Sequence, residues 1–449
     1  MSRSDILELR NVRVRSCANA SETFERVGGE DVCVLDYALQ RKVLSTRWNR
    51  RGTMGTKRML ILLTAMGVCI AGGFGHQGAP WSGKVEIKDG ITVIRNPQDP
   101  LYGEITFELE EDLSIGNNSD DNYLFEGGLS LAVDARGNVY ALDGRGRRIQ
   151  EYDGKGRYIQ TIGRKGQGPG EFELPLGLFI DAQGNIHVND RREIEKFDNK
   201  GIFSDSHPVA GFINDFYVNS EGNVFAFMDL SIGQGSKQVV VAIDQEGKTS
   251  RTIAEFPYPD LILRKSGEAW LSFGISRHRY VPGLCFTPVG PETFCYAHSS
   301  NYEIVILDGT GRVLRRIQKE ESAKAISQKE KDEILGQMEK RFKERGRPLP
   351  PGVLGEVRFP PNRPFFDGLM ADDEGRIYAR KLKSVLETRK GFEFDIFGKG
   401  GTYLYKMTLP FSPRLINRGH AYDVTSNDDT GEIRIIRYRI KNWAKIRTS

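Results

Sequence analysis

At 449 residues the chain is long enough for one large repeat array or for more than one core. Its 50 glycines and 10% aromatic residues, with no long helical stripes, exclude a helical bundle and favour an all-β protein. The formal charge is +4, but residues 1–58 hold 12 basic and 7 acidic side chains and leave 52 and 53 for the rest. So neutral a body gives no electrostatic ground for binding nucleic acid.

Lys57 and Arg58 precede an apolar run from Met59 to Ala71, and residues 59–75 carry no charge. The run has the length of the hydrophobic region of an export signal and is short for a membrane span. Residues 54–75 are therefore expected to be a signal peptide or a membrane anchor, with 1–53 a mis-assigned start or disordered extension. The body would be exported, to the periplasm, the medium or the outer surface, and would touch a membrane only through 54–75 if that segment is retained. Residues 76–102 read as a linker. "GEITFELEEDLSIG", Gly103 to Gly116, alternates apolar and polar residues, as an outer strand closing a ring would.

From Leu129 onward one pattern recurs about every 40 residues. An alternating run is followed by an Asp-x-x-Gly-Asn type turn, with Gly137, Gly184 and Gly222 suited to positive φ. A second strand follows, as in "NVYALD" or "NIHVND". A third strand ends in "YDGKGR", "FDNKG", "IDQEGK" or "LDGTGR", whose turn begins a fourth. Further units start at Asn214, Leu284, Phe366 and His420. Four antiparallel strands per unit, about six times over, predict an all-β six-bladed β-propeller across residues 103–449. "TIGRKGQGPGEFELP" is then a joint between blades, with Phe172 as a plug and Pro175 opening the next inner strand. A charged stretch, about 319–347, carries an apolar face of Ile326, Ile334, Leu335, Met338 and Phe342. It predicts a helical insertion between blades 4 and 5, either a packed cap or a lid.

The stretch "GRKGQGPGEFELPLGLFIDAQGNIHVNDRREIEKFDNKG" resembles an NHL repeat, with its Gly-rich joint and its D-x-x-G-N hairpin. The match is specific over about 129–205. Residues 100–440 as a whole resemble exported bacterial six-bladed propellers of the NHL and TolB-like class. Three departures stand out: later blades lack the Gly-rich joint, Pro288 and Pro291 replace the usual first turn of the fourth blade, and the sixth repeat has little sequence after it. The resemblance implies a monomer with its site at the mouth of a central channel. Some such propellers are lyases holding a metal with channel histidines, others lactonases holding a divalent cation with Glu, Asn and Asp. Neither ligand set maps onto this chain residue by residue.

No nucleophile elbow, H-E-x-x-H, C-x-x-C or phosphate loop occurs. His187, Asp190, Asp215 and His298 are the candidate metal ligands, for calcium or zinc, each with a purely structural reading beside it. For Asp190 and its counterpart Asp143 that reading is hydrogen bonding to loop amides. Arg277, His278 and Arg363 are candidate ligand-binding groups for a carboxylate or phosphate, or else solvated rim residues. Cys285 and Cys295 flank a turn signal at Gly290–Pro291 and would face each other across a hairpin, as a disulfide or as two buried thiols. The reading these residues favour is an exported binding or scaffold module for a peptide, glycan or partner protein. The alternative is a metal-dependent lyase or lactonase-type hydrolase in the channel. RNA binding would need a basic, aromatic face that the neutral body does not offer.

Overall fold

The computed structural model describes residues 22–27, 30–35 and 81–449, apart from 118, 192, 233–234, 258–277, 347–348, 350–351 and 389. Contacts divide the chain into two units, residues 1–77 and 78–449. In the first, β1 (Glu22–Val27) and β2 (Glu30–Leu35) pair antiparallel. The expected export segment, 54–75, lies outside the described residues.

The second unit opens with β3 (Lys84–Lys88), β4 (Ile91–Asn96), β5 (Glu104–Ile105) and β6 (Leu109–Ile115). The first blade is β7 (Leu129–Val133), β8 (Val139–Asp143), β9 (Arg148–Tyr152) and β10 (Tyr158–Ile162). The second is β11 (Pro175–Ile180), β12 (Ile186–Asp190), β13 (Glu193–Phe197) and β14 (Phe203–Pro208). The third is β15 (Ile213–Val218), β16 (Val224–Ile232), β17 (Gly235–Ile243) and β18 (Thr249–Pro257). The fourth is β19 (Leu284–Gly290), β20 (Thr293–His298), β21 (Glu303–Asp308) and β22 (Val313–Lys319). Helix α1 (Gln328–Glu344) precedes the fifth, β23 (Phe366–Ala371), β24 (Ile377–Lys381), β25 (Phe392–Phe397) and β26 (Tyr403–Leu409). The sixth has β27 (Leu415–Asn417), β28 (His420–Ser426) and β29 (Ile433–Ile440), with β6 as its fourth strand. The first strands of the blades contact one another in cyclic order, β7 to β27 and back to β7, and so line a central channel.

Local chemistry explains why the strands reverse where they do. At Asp134, Asp153, Asp181, Asp198, Asn219, Asp244, Asp308 and Asp372 the side-chain oxygen accepts the amides two and four residues on. The glycine at the fourth position has positive φ, 90° at Gly137, which an L side chain adopts only with strain. All these turns lie on one face of the ring, the turn face. The chain crosses between blades on the other, the crossing face. In the first joint, Phe172 is wholly buried among Tyr140, Ile162, Ile186 and Phe197. Gly163 is required there, because a Cβ would collide with the Phe172 ring.

Closure runs as the alternation at Gly103–Gly116 suggests: β6 pairs antiparallel with β29, Leu109 opposite Ile440 and Ile115 opposite Ile435. Arg437 Nε, 2.9 Å from Asp112 Oδ1, ties the two strands together. The expected linker, 76–102, is corrected in part. Residues 84–96 form a hairpin around Asp89–Gly90, and β4 adds in parallel to β22, extending the fourth sheet to six strands. β5 adds likewise to β26. The stretch from Lys84 to Ile115 thus follows the outer edges of blades four, five and six.

The helical insertion does lie between the fourth and fifth blades, with its helix at 328–344 inside the expected 319–347. Ser327 and Glu330 form a reciprocal capping box, and Glu330, Ile334 and Met338 are buried. The expected disulfide is not formed: both cysteines are free. The turn falls at Pro291–Glu292 rather than Gly290–Pro291, so Cys285 lies opposite Ala297 and Cys295 opposite Thr287. Burial pushes the Cys285 thiol up to about 12.

Candidate functional site

The channel is shaped by irregularities in its inner strands. Register shifts at Leu176, Asn214 and Asp367 leave one extra residue on β11, β15 and β23, and all three side chains are exposed. Such bulges turn a side chain out of the pleat towards a rim. After the third-blade bulge comes Asp215. Part of its surface is open to the channel, yet the surrounding inner strands desolvate the carboxyl and push it up to about 7. The fields of Asp367, Arg380 and Asp215 all reach the Cys285 thiol, which places these charges around one stretch of channel.

From there a cleft of about 600 Å³ opens between blades five and six. Leu369 and Met370 of β23, Tyr378 of β24, Phe394 of β25 and Phe411 of the crossing loop form its apolar wall. Phe411 is itself held by stacking on Tyr438, with ring centres 4.9 Å apart. Its charged groups are Arg380, Arg414 and Asp423, with Ser412 beside them. Arg380 donates to Asp367 Oδ1 at 2.5 Å and to Ser412 Oγ at 2.8 Å, which fixes its guanidinium. Arg414 is exposed, and its side chain makes no hydrogen bond or ion pair with any described residue. Burial raises the Asp423 carboxyl, against the pull of the Val424 amide and the Arg414 charge. An apolar wall with a held and a free guanidinium suits a ligand with an apolar side chain and an anionic group.

The residues singled out from the sequence fall elsewhere. His187 lies near the turn face, buried, with Nε2 3.0 Å from Asp181 Oδ2. Burial alone would raise the Asp181 carboxyl, but the His187 and Asn185 hydrogen bonds bring it down to about 2. Asp190 has the loop role: it accepts the Glu173 amide at 2.6 Å and that of Leu174. Asp143 does the same for Glu126 and Gly127, at 2.8 and 3.0 Å. His298 stacks on Phe256, with centroids 4.6 Å apart, and burial lowers its pKa. His187, Asp190, Asp215 and His298 thus occupy separate places, and among the described residues no three His, Cys, Asp or Glu side chains group to hold an ion.

Arg277 lies outside the described residues. His278 and Arg363 are brought together, but at the seat of helix α1. His278 Nε2 faces the Arg358 carbonyl at 3.0 Å and its ring lies 4.4 Å from Phe359. Its Nδ1 accepts the Tyr280 amide, so the proton belongs on Nε2, and burial lowers its pKa. Arg363 approaches Glu330 at 3.6 Å and Glu387 at 3.8 Å. Glu330 also accepts from Tyr280 at 2.7 Å and Ser384 at 2.6 Å. These groups tie the helix to the loops around it. The cleft residues Arg380 and Arg414, and the Asp367 that holds Arg380, had one sequence signal. A hairpin centred on "DDEG" sets Gly368 opposite Arg380 and so brings Asp367 within one residue of it, but the bulge that turns Asp367 outward has no local signature.

Residues 127–259 match a family model, DUF5128, described as a 6-bladed beta-propeller. The chain is a six-bladed β-propeller. Among solved structures, this propeller is similar to a candidate exported protein of Bacteroides fragilis at 12% identity. That likeness covers 78% of this chain and 99% of the other, with a TM-score of 0.43. It is similar to a duf4221 family member of Bacteroides vulgatus at 13% identity, over 77% and 99% of the two chains, TM-score 0.41. A gluconolactonase of Xanthomonas campestris aligns at 14% identity over 76% and 88%, TM-score 0.34. At these values the likeness carries no inference of function to this propeller. No curated protein matches the chain. Among the described residues no helix is long and apolar enough to cross a membrane.

Proposed function

We propose that this chain is an exported binding module of the NHL and TolB-like kind. Its site is the crossing-face cleft between the fifth and sixth blades, and its ligand a peptide segment of a partner protein. The segment would carry an apolar or aromatic side chain against Phe394 and Phe411 and an acidic group on Arg414. The observation that carries this reading is the unpaired Arg414 guanidinium at the edge of an apolar cleft whose other arginine is already held. A free guanidinium beside apolar surface is a common anchor for a carboxylate. The charge-free run after Lys57 and Arg58 supports export.

The test is a peptide-library selection on the whole protein, followed by titration of the selected peptides. Selected sequences should pair an acidic residue with an apolar one. Arg414→Glu should weaken them by ~10-fold or more, as expected when one partner of a recognition ion pair is reversed. Selection of basic or featureless sequences, or equal binding by the variant, would sink the reading. The rival reading, a calcium- or zinc-dependent lyase or lactonase, is tested by elemental analysis of protein prepared without chelator or tag. A stoichiometric ion lost in His187→Ala or His298→Ala would put that reading first.

A further inference from the structure

A second pocket of about 330 Å³ lies on the crossing face, beside the joint of the first and second blades. It is lined by Gln167, Glu171, Glu173, Asp190, Arg191 and Glu193. Most of these charges are already matched. Glu171 accepts from Arg164 at 2.8 Å and from the Gly168 amide at 3.0 Å. Glu173 is paired with Arg191, and Asp190 holds its two loop amides. The Glu193 side chain makes no hydrogen bond or ion pair with any described residue, its backbone being paired in the sheet.

One alternate residue further along the same face of β13 stands Glu195. It is 2% exposed, and its Oε2 has no hydrogen-bond partner. A buried acceptor left unmatched is uncommon in a folded protein. Its neighbours come from every side. Glu193 lies on its own strand, Asp190 on β12, and Ser206 across β14. Glu171 and the Gly170 amide reach it from the joint. Burial and then the Glu193, Asp190 and Glu171 charges push the Glu195 carboxyl up to about 8. The first blade has Gln150 at the corresponding third-strand position, fully buried and hydrogen-bonded to Thr161 and to loop carbonyls. A neutral amide satisfies that position, and the second blade places an acid there instead.

We propose that this pocket receives a basic side chain, lysine or arginine, of a partner peptide, with Glu193 in its wall and Glu195, buried behind Glu193, Asp190 and Glu171, as counter-ions. The pocket size is within the range of small-ligand sites. The empty pocket keeps a proton on Glu195. An entering guanidinium or ammonium displaces it, so binding at neutral pH releases a proton and strengthens as pH rises towards 8.

The experiment is calorimetric titration of the whole protein with acetyl-Gly-Arg-Gly-amide. The control is the same peptide with citrulline, which keeps the shape and loses the charge. Heat from the arginine peptide alone, varying with the ionisation heat of the buffer, is the expected result. Glu195→Gln should keep the thermal midpoint, since Gln150 shows that the position accepts an amide. It should also abolish the buffer dependence and weaken binding by ~10-fold or more. Glu193→Gln should weaken it less. Equal binding of both peptides, no binding by the parent protein, or full affinity in Glu195→Gln would each overturn the proposal. So would a Glu195-dependent heat from calcium or zinc alone, which would make the pocket a metal site.

Discussion

Asp190 shows how far a single residue can be read in this protein. Its place at the end of "NIHVND" suggested both a metal ligand and a loop anchor, and its oxygens go to the amides of Glu173 and Leu174. Hydrogen bonds to a charged acceptor contribute about 1.5–3 kcal/mol each, and burying the amides unmatched costs more. Asp190→Ala should therefore lower stability by ~3 kcal/mol in urea unfolding, and Asp190→Asn by less. A second prediction concerns acid. Hydrogen bonds from Ser384, Ser327 and Tyr280 outweigh burial and hold the Glu330 carboxyl at about 2 rather than 4.5. A depressed carboxyl stabilises the fold above its unfolded pKa and stops doing so as pH falls through its folded one. That contribution should fade between pH 4.5 and about 2, together with that of Asp181 between 3.8 and about 2. Stability measured against pH should show a shallower acid limb in Glu330→Gln.

At the scale of elements, the parts legible in the sequence were those with local chemistry. The Asp-x-x-Gly turns announce themselves because one side chain and one glycine make the whole motif. Helix α1 announces itself through its apolar face on a charged background. The bulges at Leu176, Asn214 and Asp367 do not, because a bulge exists only relative to the partner strand. The Cys285–Cys295 register hid for the same reason: moving the turn to Pro291–Glu292 changed every opposite pair on β19 and β20. The helix gives a third prediction. Ile334 and Met338 pack with Tyr280, Ile326, Val353 and Leu382. Ile334→Asp should detach the helix and expose the 320–360 segment to protease while the six sheets stay folded. Ser327→Ala, losing the cap, should cost only about 1 kcal/mol. Cleavage in the sheets at the same rate as in the segment would show that the helix is integral to the ring.

For the whole molecule, the six repeats and the closing strand were visible as patterns, but the path of residues 84–105 was not. "KVEIKDGITVIRN" reads as a hairpin only once the outer edge of the fourth blade is there to receive it, and no local feature names that edge. Closure itself rests on β6, where Asp112 meets Arg437 at 2.9 Å. Burial alone would raise the Asp112 carboxyl, but the Arg437 hydrogen bond and charge bring it below the usual range. Asp112→Ala should destabilise by ~2 kcal/mol. Starting the body after residue 116 should do far more, leaving β29 with an open edge and the protein prone to association.

The stretch from Lys84 to Ile115 has a consequence in time. It leaves the ribosome before any blade, yet its partners are Arg315–Lys319, Lys406–Met407 and Ile435–Ile440, all more than 200 residues further along the chain. Pairings so distant along the chain form slowly and late. A nascent chain halted before Ile433 has β3 and β4 paired but lacks the partner of Leu109–Ile115, so the protein cannot exist as a closed object until that strand is made.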